Sequence, residues 1–241
     1  MGTEPVTVMA PRSTAGRVRM ENTRPAAMII VAHPDDAELG VAGTLLALAA
    51  LGWRILILVL ADGGRGGIPV VRRREQKAAA GLLGAEVRFL GLPDGNLAAD
   101  AATVARVEEV LTEADPTLVF VHDPADTHQD HRAAAEIVLA STRRRSCGVL
   151  FCESYSSTNF APDSFIDITG HWPLKAQAIE RHASQASRLG LVGWAETVAR
   201  FRGLAARCPM AEGFRAHRLP LSRLFARPGE PLTRPAARSG V

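Results

Sequence analysis

The chain has 241 residues, 47% of them hydrophobic, and a formal net charge of +3. That length and apolar share fit one domain around one sizeable core, with two small domains as the lesser alternative. A single Tyr, without basic–aromatic interleaving, argues against a base-stacking platform for nucleic acid, and the apolar runs break at Gly, Arg or Asp short of membrane-spanning length.

Residues 1–24 mix Pro, Thr, Arg and Glu without the apolar stretch of an export signal, and are expected to be a flexible extension. The domain is expected over 25–226, followed by a Pro-, Gly- and Arg-rich flexible tail over 227–241. Within the domain, Ala27–Ala32 reads as a strand buried on both faces, and Asp36 to Ala50 as a helix with Asp35 or Asp36 at its N-cap. Arg54–Leu60 is a second buried strand. A loop over Asp62-Gly63-Gly64-Arg65-Gly66-Gly67 leads to a helix over Val70–Leu83, which Gly84 should close. A third strand, Glu86–Leu90, precedes the turn Pro93-Asp94-Gly95, and a helix follows over Asp100–Ala114. Thr117–Val121 predicts the fourth strand and Arg132–Ser141 the next helix. Strands are then expected at Gly148–Cys152 and Phe165–Ile168, helices at Leu174–Ala186 and Trp194–Ala206, and a late edge strand at Gly213–Leu219. The alternation specifies an α/β fold with a mostly parallel sheet, whose ligands bind beyond the carboxyl ends of the strands.

Two polar clusters stand at such ends. His33-Pro34-Asp35-Asp36-Ala37-Glu38 follows the first strand, and Asp126-Thr127-His128-Gln129-Asp130-His131 follows the fourth. Pro34 disfavours helical geometry at His33, and the chain then turns into a helix, so His33 and Asp36 can face one side. Imidazole and carboxylate are good ligands for a divalent cation, and Asp35 can stand beside a bound water as a base. His128 and His131 share a face of a starting helix, so one can ligate while the other meets substrate. Asp130 can hold an imidazole N–H. Each cluster alone could be a turn or a helix cap; together, at two strand ends, they point to one metal site.

With these residues on view, the chain resembles the PIG-L (LmbE-like) family of zinc-dependent N-deacetylases of N-acetylglucosamine conjugates, over roughly residues 26–220. Arg72 with Glu75, Leu83-Gly84, the turn Leu90 to Gly95, Phe165 to Thr169, Lys175, and Ser184-Gln185 follow the family's order. The resemblance implies a Rossmann-like single domain with helices on both faces of the sheet. It implies one Zn²⁺ per chain on His33, Asp36 and His131, other divalent metals being possible. It makes Asp35 the general base, His128 the group that stabilises the oxyanion and helps protonate the amine, and Asp130 the support of a catalytic histidine. Arg72 and Asp94 would touch the sugar hydroxyls.

The implied substrate is a small N-acetylated sugar conjugate, with no nucleic-acid or membrane partner. The Ala- and Arg-rich composition resembles high-GC bacteria, where thiol-associated and antibiotic-associated substrates are both candidates. Two other classes compete: a Rossmann-like sugar or nucleotide binder without chemistry, and a metal-dependent hydrolase of another bond, such as a phosphoester. Cys147, Cys152 and Cys208 form no CxxC pair, which fits a reducing, cytoplasmic setting. Arg72-Arg73-Arg74 and Arg143-Arg144-Arg145 read chiefly as solvated faces and helix ends. Glu38 is expected to support the first helical turn. Asp62 is expected either to line the pocket or to cap its loop. His171, His182 and His217 read as isolated surface or core histidines, and Trp172 as packing or the edge of a sugar cleft.

Overall fold

A computed structural model describes residues 24–221; apart from Arg24, the expected terminal extensions lie outside this range. The first nine elements alternate: β1 (Ala26–Val31), α1 (Asp36–Ala50), β2 (Arg54–Ala61), α2 (Pro69–Leu82), β3 (Glu86–Leu92), α3 (Ala101–Ala114), β4 (Leu118–His122), α4 (Gln129–Thr142) and β5 (Gly148–Cys152). There follow β6 (Ser164–Asp167), α5 (Trp172–Glu180), α6 (Ala183–Leu189), α7 (Leu191–Ala206) and β7 (Ala211–Arg218). The sheet runs β3-β2-β1-β4-β5-β7-β6. Its first five strands are parallel, and β7 and β6 join antiparallel. The order 3-2-1-4-5 is the doubly wound α/β arrangement, which changes direction between β1 and β4.

The strands are apolar on both sides because both sides are covered. Ile29, Ile57 and Phe120 pack beneath α1 and α2, whereas Ile30, Leu58 and Val121 pack beneath α3 and α4. Local chemistry sets the boundaries. Asp100 caps α3 by accepting from the Thr103 N–H at 2.7 Å, and Gly84, at φ 63°, takes the left-handed turn after α2.

Two expectations are corrected. The helix expected over Leu174–Ala186 is two, because the chain turns at His182 (ψ 55°) and directs that imidazole into the interior. The expected late edge strand is internal: β7 lies between β5 and β6, and β6 is the edge.

The inserted β7 carries a buried wedge. Glu212 accepts from the Gly43 and Thr44 N–H groups at 2.8 and 2.7 Å. Lys175 donates to the Leu39 carbonyl at 2.7 Å and pairs with Glu212 at 2.6 Å. Leu39 O and Gly43 N are groups that pair with each other in an uninterrupted helix, so this ion pair enters the ladder of α1. Removing one member leaves an uncompensated buried charge. Glu212→Ala is expected to lose about 3–5 kcal/mol of stability, read from the urea midpoint of the full chain, and Glu212→Gln to lose less.

Candidate metal centre

The pairing of β1 with β4, in the register Ile30↔Val121, brings their carboxyl ends side by side. β1 runs into His33 and then α1, which begins at Asp36. β4 ends on His122, and α4 begins with His128 at its N-cap and His131 in its first turn. The two sequence clusters therefore meet. Potential ligand atoms of His33, Asp36 and His131 lie within 4.8 Å of one another. Asp36 Oδ2 is 3.4 Å from His33 Nδ1, and Asp36 Oδ1 is 3.5 Å from His131 Nε2. Tetrahedral ligands at Zn²⁺ bond lengths stand about 3.4 Å apart, so the set fits a small divalent cation.

Each imidazole is held from behind. His33 Nε2 lies 3.1 Å from Asp94 and 3.2 Å from Asp130, leaving Nδ1 toward Asp36. His131 Nδ1 lies 3.2 Å from Asp126, leaving Nε2 toward Asp36. Carboxylates in these positions fix the tautomer and ring orientation of a ligating histidine. Asp130 is anchored by the N–H groups of Gly95 (2.6 Å) and Leu97 (3.3 Å). Its carboxylate meets His33 and not His128; only its backbone N–H reaches His128, at Nδ1 and 3.2 Å. That bond makes Nδ1 an acceptor and puts the proton of a neutral His128 on Nε2.

The field is concentrated. Burial alone would lower the His33 pKa, yet Asp130, Asp36 and Asp94 push it up to about 12. Burial would raise Asp36, but His131 and His122 hold it well below the usual carboxylate range. Burial and the neighbouring His122 lower His131 toward the neutral ring that a metal ligand needs. The bond to His33 carries Asp94 down to about 2 despite partial burial. Carboxylate charge that stabilises a proton on His33 equally suits a cation.

Asp35 sits in an unusual backbone state, φ 99° and ψ −27°. Gln76 accepts its N–H at 3.1 Å, while Arg72 Nη2 donates to the Pro34 carbonyl at 2.5 Å and to Asp35 Oδ2 at 2.9 Å. Burial pushes the Asp35 carboxyl up to about 6 against the pull of Arg72. The Gly-rich loop makes room for that guanidinium: a Cβ on Gly66 would lie 2.6 Å from Arg72 Nη1. Glu38 is fully buried and does not serve its own helical turn. It accepts from Gln76 at 2.7 Å and pairs with His182 at 3.1 Å.

The centre opens into a cavity of about 400 Å³. Asp35, Arg72, Asp94 and His128 reach it, as do His33, Asp36 and His131; Asp130 lies behind them. Asp62 caps its own loop through the Gly64 N–H at 2.9 Å and is not part of the wall. Trp172 packs against α1 and α7, away from the cavity. The sequence pattern did not single out His122, which stacks on His131 with ring centroids 3.8 Å apart and lies 3.3 Å from Asp36; a strand-terminal His before Asp-Pro was its signal. Nor did it single out Gln76, or Arg188 beside the matched Gln185.

Residues 28–142 match the family described as "PIG-L: GlcNAc-PI de-N-acetylase". Over these residues the chain is similar to the PIG-L family. The relatives that the chain resembles are enzymes, deacetylases and a hydratase. The chain is 27% identical over 196 residues to the 4-oxalmesaconate hydratase of Pseudomonas putida, across 69% of this chain and 76% of that protein. It is 28% identical over 181 residues to the probable N-acetyl-α-D-glucosaminyl L-malate deacetylase 2 of Bacillus anthracis, across 66% of this chain and 80% of that one. A conserved protein of Thermus thermophilus, solved by crystallography, superposes with a TM-score of 0.75 at 27% identity, covering 83% of this chain and 98% of its own.

The pair beneath the site gives the protein a pH-dependent stability term. Burial would lower the His182 pKa, but Glu38 and then Asp35 raise it, against Arg72. A raised folded-state value adds stability that is complete below the unfolded pKa of about 6.5 and fades as pH climbs through the folded one. The stability gap between wild type and His182→Gln is therefore expected to narrow as pH rises from about 6, measured by urea denaturation at a series of pH values.

Proposed function

We propose that the protein is a zinc-dependent N-deacetylase that hydrolyses the acetamide of an N-acetylglucosamine-type conjugate to free amine and acetate. The observation that carries the reading is the meeting of His33, Asp36 and His131 on the floor of an open cavity, with Asp35 in its wall. The cavity volume suits an amino sugar with a small attached group. The deacetylase among the relatives supports the amide as the scissile bond. Thiol or antibiotic assembly in bacteria is the proposed setting.

Zinc on His33, Asp36 and His131 would supply an open position that acidifies a water and polarises the acetyl carbonyl. The chain's residues perform the rest. Asp130 and Asp126 keep the outer nitrogens of His33 and His131 engaged. Arg72 holds the Asp35 carboxylate at the cavity wall, and there Asp35 accepts a proton from water as its oxygen bonds to the carbonyl carbon. His128, with its proton on Nε2, donates to the oxygen on which charge develops, a contribution of roughly 3–4 kcal/mol for a well-aimed donor. As the C–N bond breaks, the proton returns to the nitrogen. Arg72 and Asp94 line the same wall and are proposed to meet the sugar hydroxyls.

Acetate release from a panel of N-acetylated sugars tests the reading. Activity should disappear on chelation and return with about one Zn²⁺ per chain. Asp35→Asn should keep the metal, by elemental analysis, while kcat falls about 10²–10⁴-fold. A near-normal rate in that variant would remove Asp35 from the role of base. Given the hydratase relative, water addition to an unsaturated acid with no acetate released from any amide would replace this reading.

A further inference from the structure

The cavity holds two guanidinium groups that the proposed chemistry does not use. Its three carboxylates already have partners in contact: Asp35 has Arg72, Asp36 has His33 and His131, and Asp94 has His33. The two guanidinium groups are those of Arg65 and Arg188, exposed residues that line the cavity and have no carboxylate in salt-bridge range among the described residues.

Both are placed by the fold. The Arg65 N–H donates to Asp94 at 2.9 Å. Its side chain crosses Gly95 so closely that a Cβ there would lie 2.4 Å from the Arg65 Cζ. Arg188 donates from Nη2 to Gln185 Oε1 at 2.9 Å, and the Nε2 of the same Gln185 donates to the Gly66 carbonyl at 3.0 Å. One buried amide thus laces the Gly-rich loop to α6, and the two arginines stand on segments tied to each other. Next to them Tyr155 and Leu189 add apolar surface, and Tyr155 is braced edge-on by Trp194 at 5.4 Å. Unneutralised guanidinium groups in one concave wall focus a positive potential, and their planar forks match the oxygens of a carboxylate or phosphate.

We propose that Arg65 and Arg188 form an oxyanion-binding subsite, so that the preferred substrate carries a carboxylate or phosphate on the group attached to its N-acetylated sugar. The sugar and its acetamide rest on the deacetylase reading; the anion rests on these two arginines.

The test uses the zinc-loaded full chain. Acetate release is compared for N-acetylglucosamine 1-phosphate, the carboxymethyl N-acetylglucosaminide and the neutral methyl N-acetylglucosaminide. Binding of the three de-N-acetylated counterparts is measured by calorimetry. At least one anionic compound should exceed the neutral one about tenfold in kcat/KM and in affinity, and whichever does so identifies the oxyanion. The advantage should shrink as salt rises to about 0.5 M. Arg65→Gln and Arg188→Gln should each drive the anionic-to-neutral ratio toward one, through KM, while Arg200→Gln on α7 keeps the wild-type ratio. Equal kcat/KM and equal affinity across the three compounds would overturn the subsite and leave the deacetylase reading standing, as would a ratio unmoved by both substitutions. Arginine-dependent tighter binding of an anionic compound, with no acetate released from any, would uphold the subsite and reject the deacetylase reading.

Discussion

The parallel pairing of β1 with β4 is the constraint on which the site depends. These strands are far apart in sequence but adjacent in the sheet, at the place where its winding reverses. Helices leaving the two strands depart to opposite faces, so a crevice is left between their first turns. His33 and Asp36 enter it from one side, and His128 and His131 from the other. No loop has to reach across the molecule, and these side chains inherit the rigidity of the sheet.

Around that crevice the charges are layered. Asp36 lies at the centre among imidazoles, Asp126, Asp94 and Asp130 lie behind the imidazoles, and Arg72 fastens Asp35 on the side facing the cavity. Asp94 and Asp130 share His33 while Asp126 meets His131 and Asp35 meets Arg72, which lets neighbouring acidic residues perform different tasks. The backbone at Asp35 is costly in isolation, by roughly 1–3 kcal/mol for a residue in a sparsely populated region. Bonds from Arg72 and to Gln76 hold it there. The cost and its support come from different segments, joined only by the fold.

That division explains what could be read from sequence. The two histidine–aspartate clusters are contiguous and stand where apolar runs stop, so local pattern was enough to bring His33, Asp36 and His131 together. Strand order was not local. The sequence over Gly213–Leu219 indicates a strand, but nothing in it indicates insertion between β5 and the edge strand β6. The break at His182 was hidden for the same reason: helical spacing continues through it, and its cause is Glu38, 144 positions earlier. Asp130 followed the pattern only in part. The sequence offers it an imidazole to hold without saying which, and the turn at Gly95 and Leu97 aims it at His33. Arg65 is only one member of the Gly-rich loop in the sequence, and the packing over Gly95 gives it a direction.

The wedge of Lys175 and Glu212 within α1 bears on the order of assembly. The opening turns of α1 carry Asp36, yet amides and a carbonyl farther along that helix find their partners on α5 and β7. Such long separations make a contact slow to form. A nascent chain can lay down β1 and the start of α1 early, but it has no Glu212 to offer until its last described strand has left the ribosome. The centre is therefore a late product of biosynthesis, completed when the end of the domain closes over its beginning.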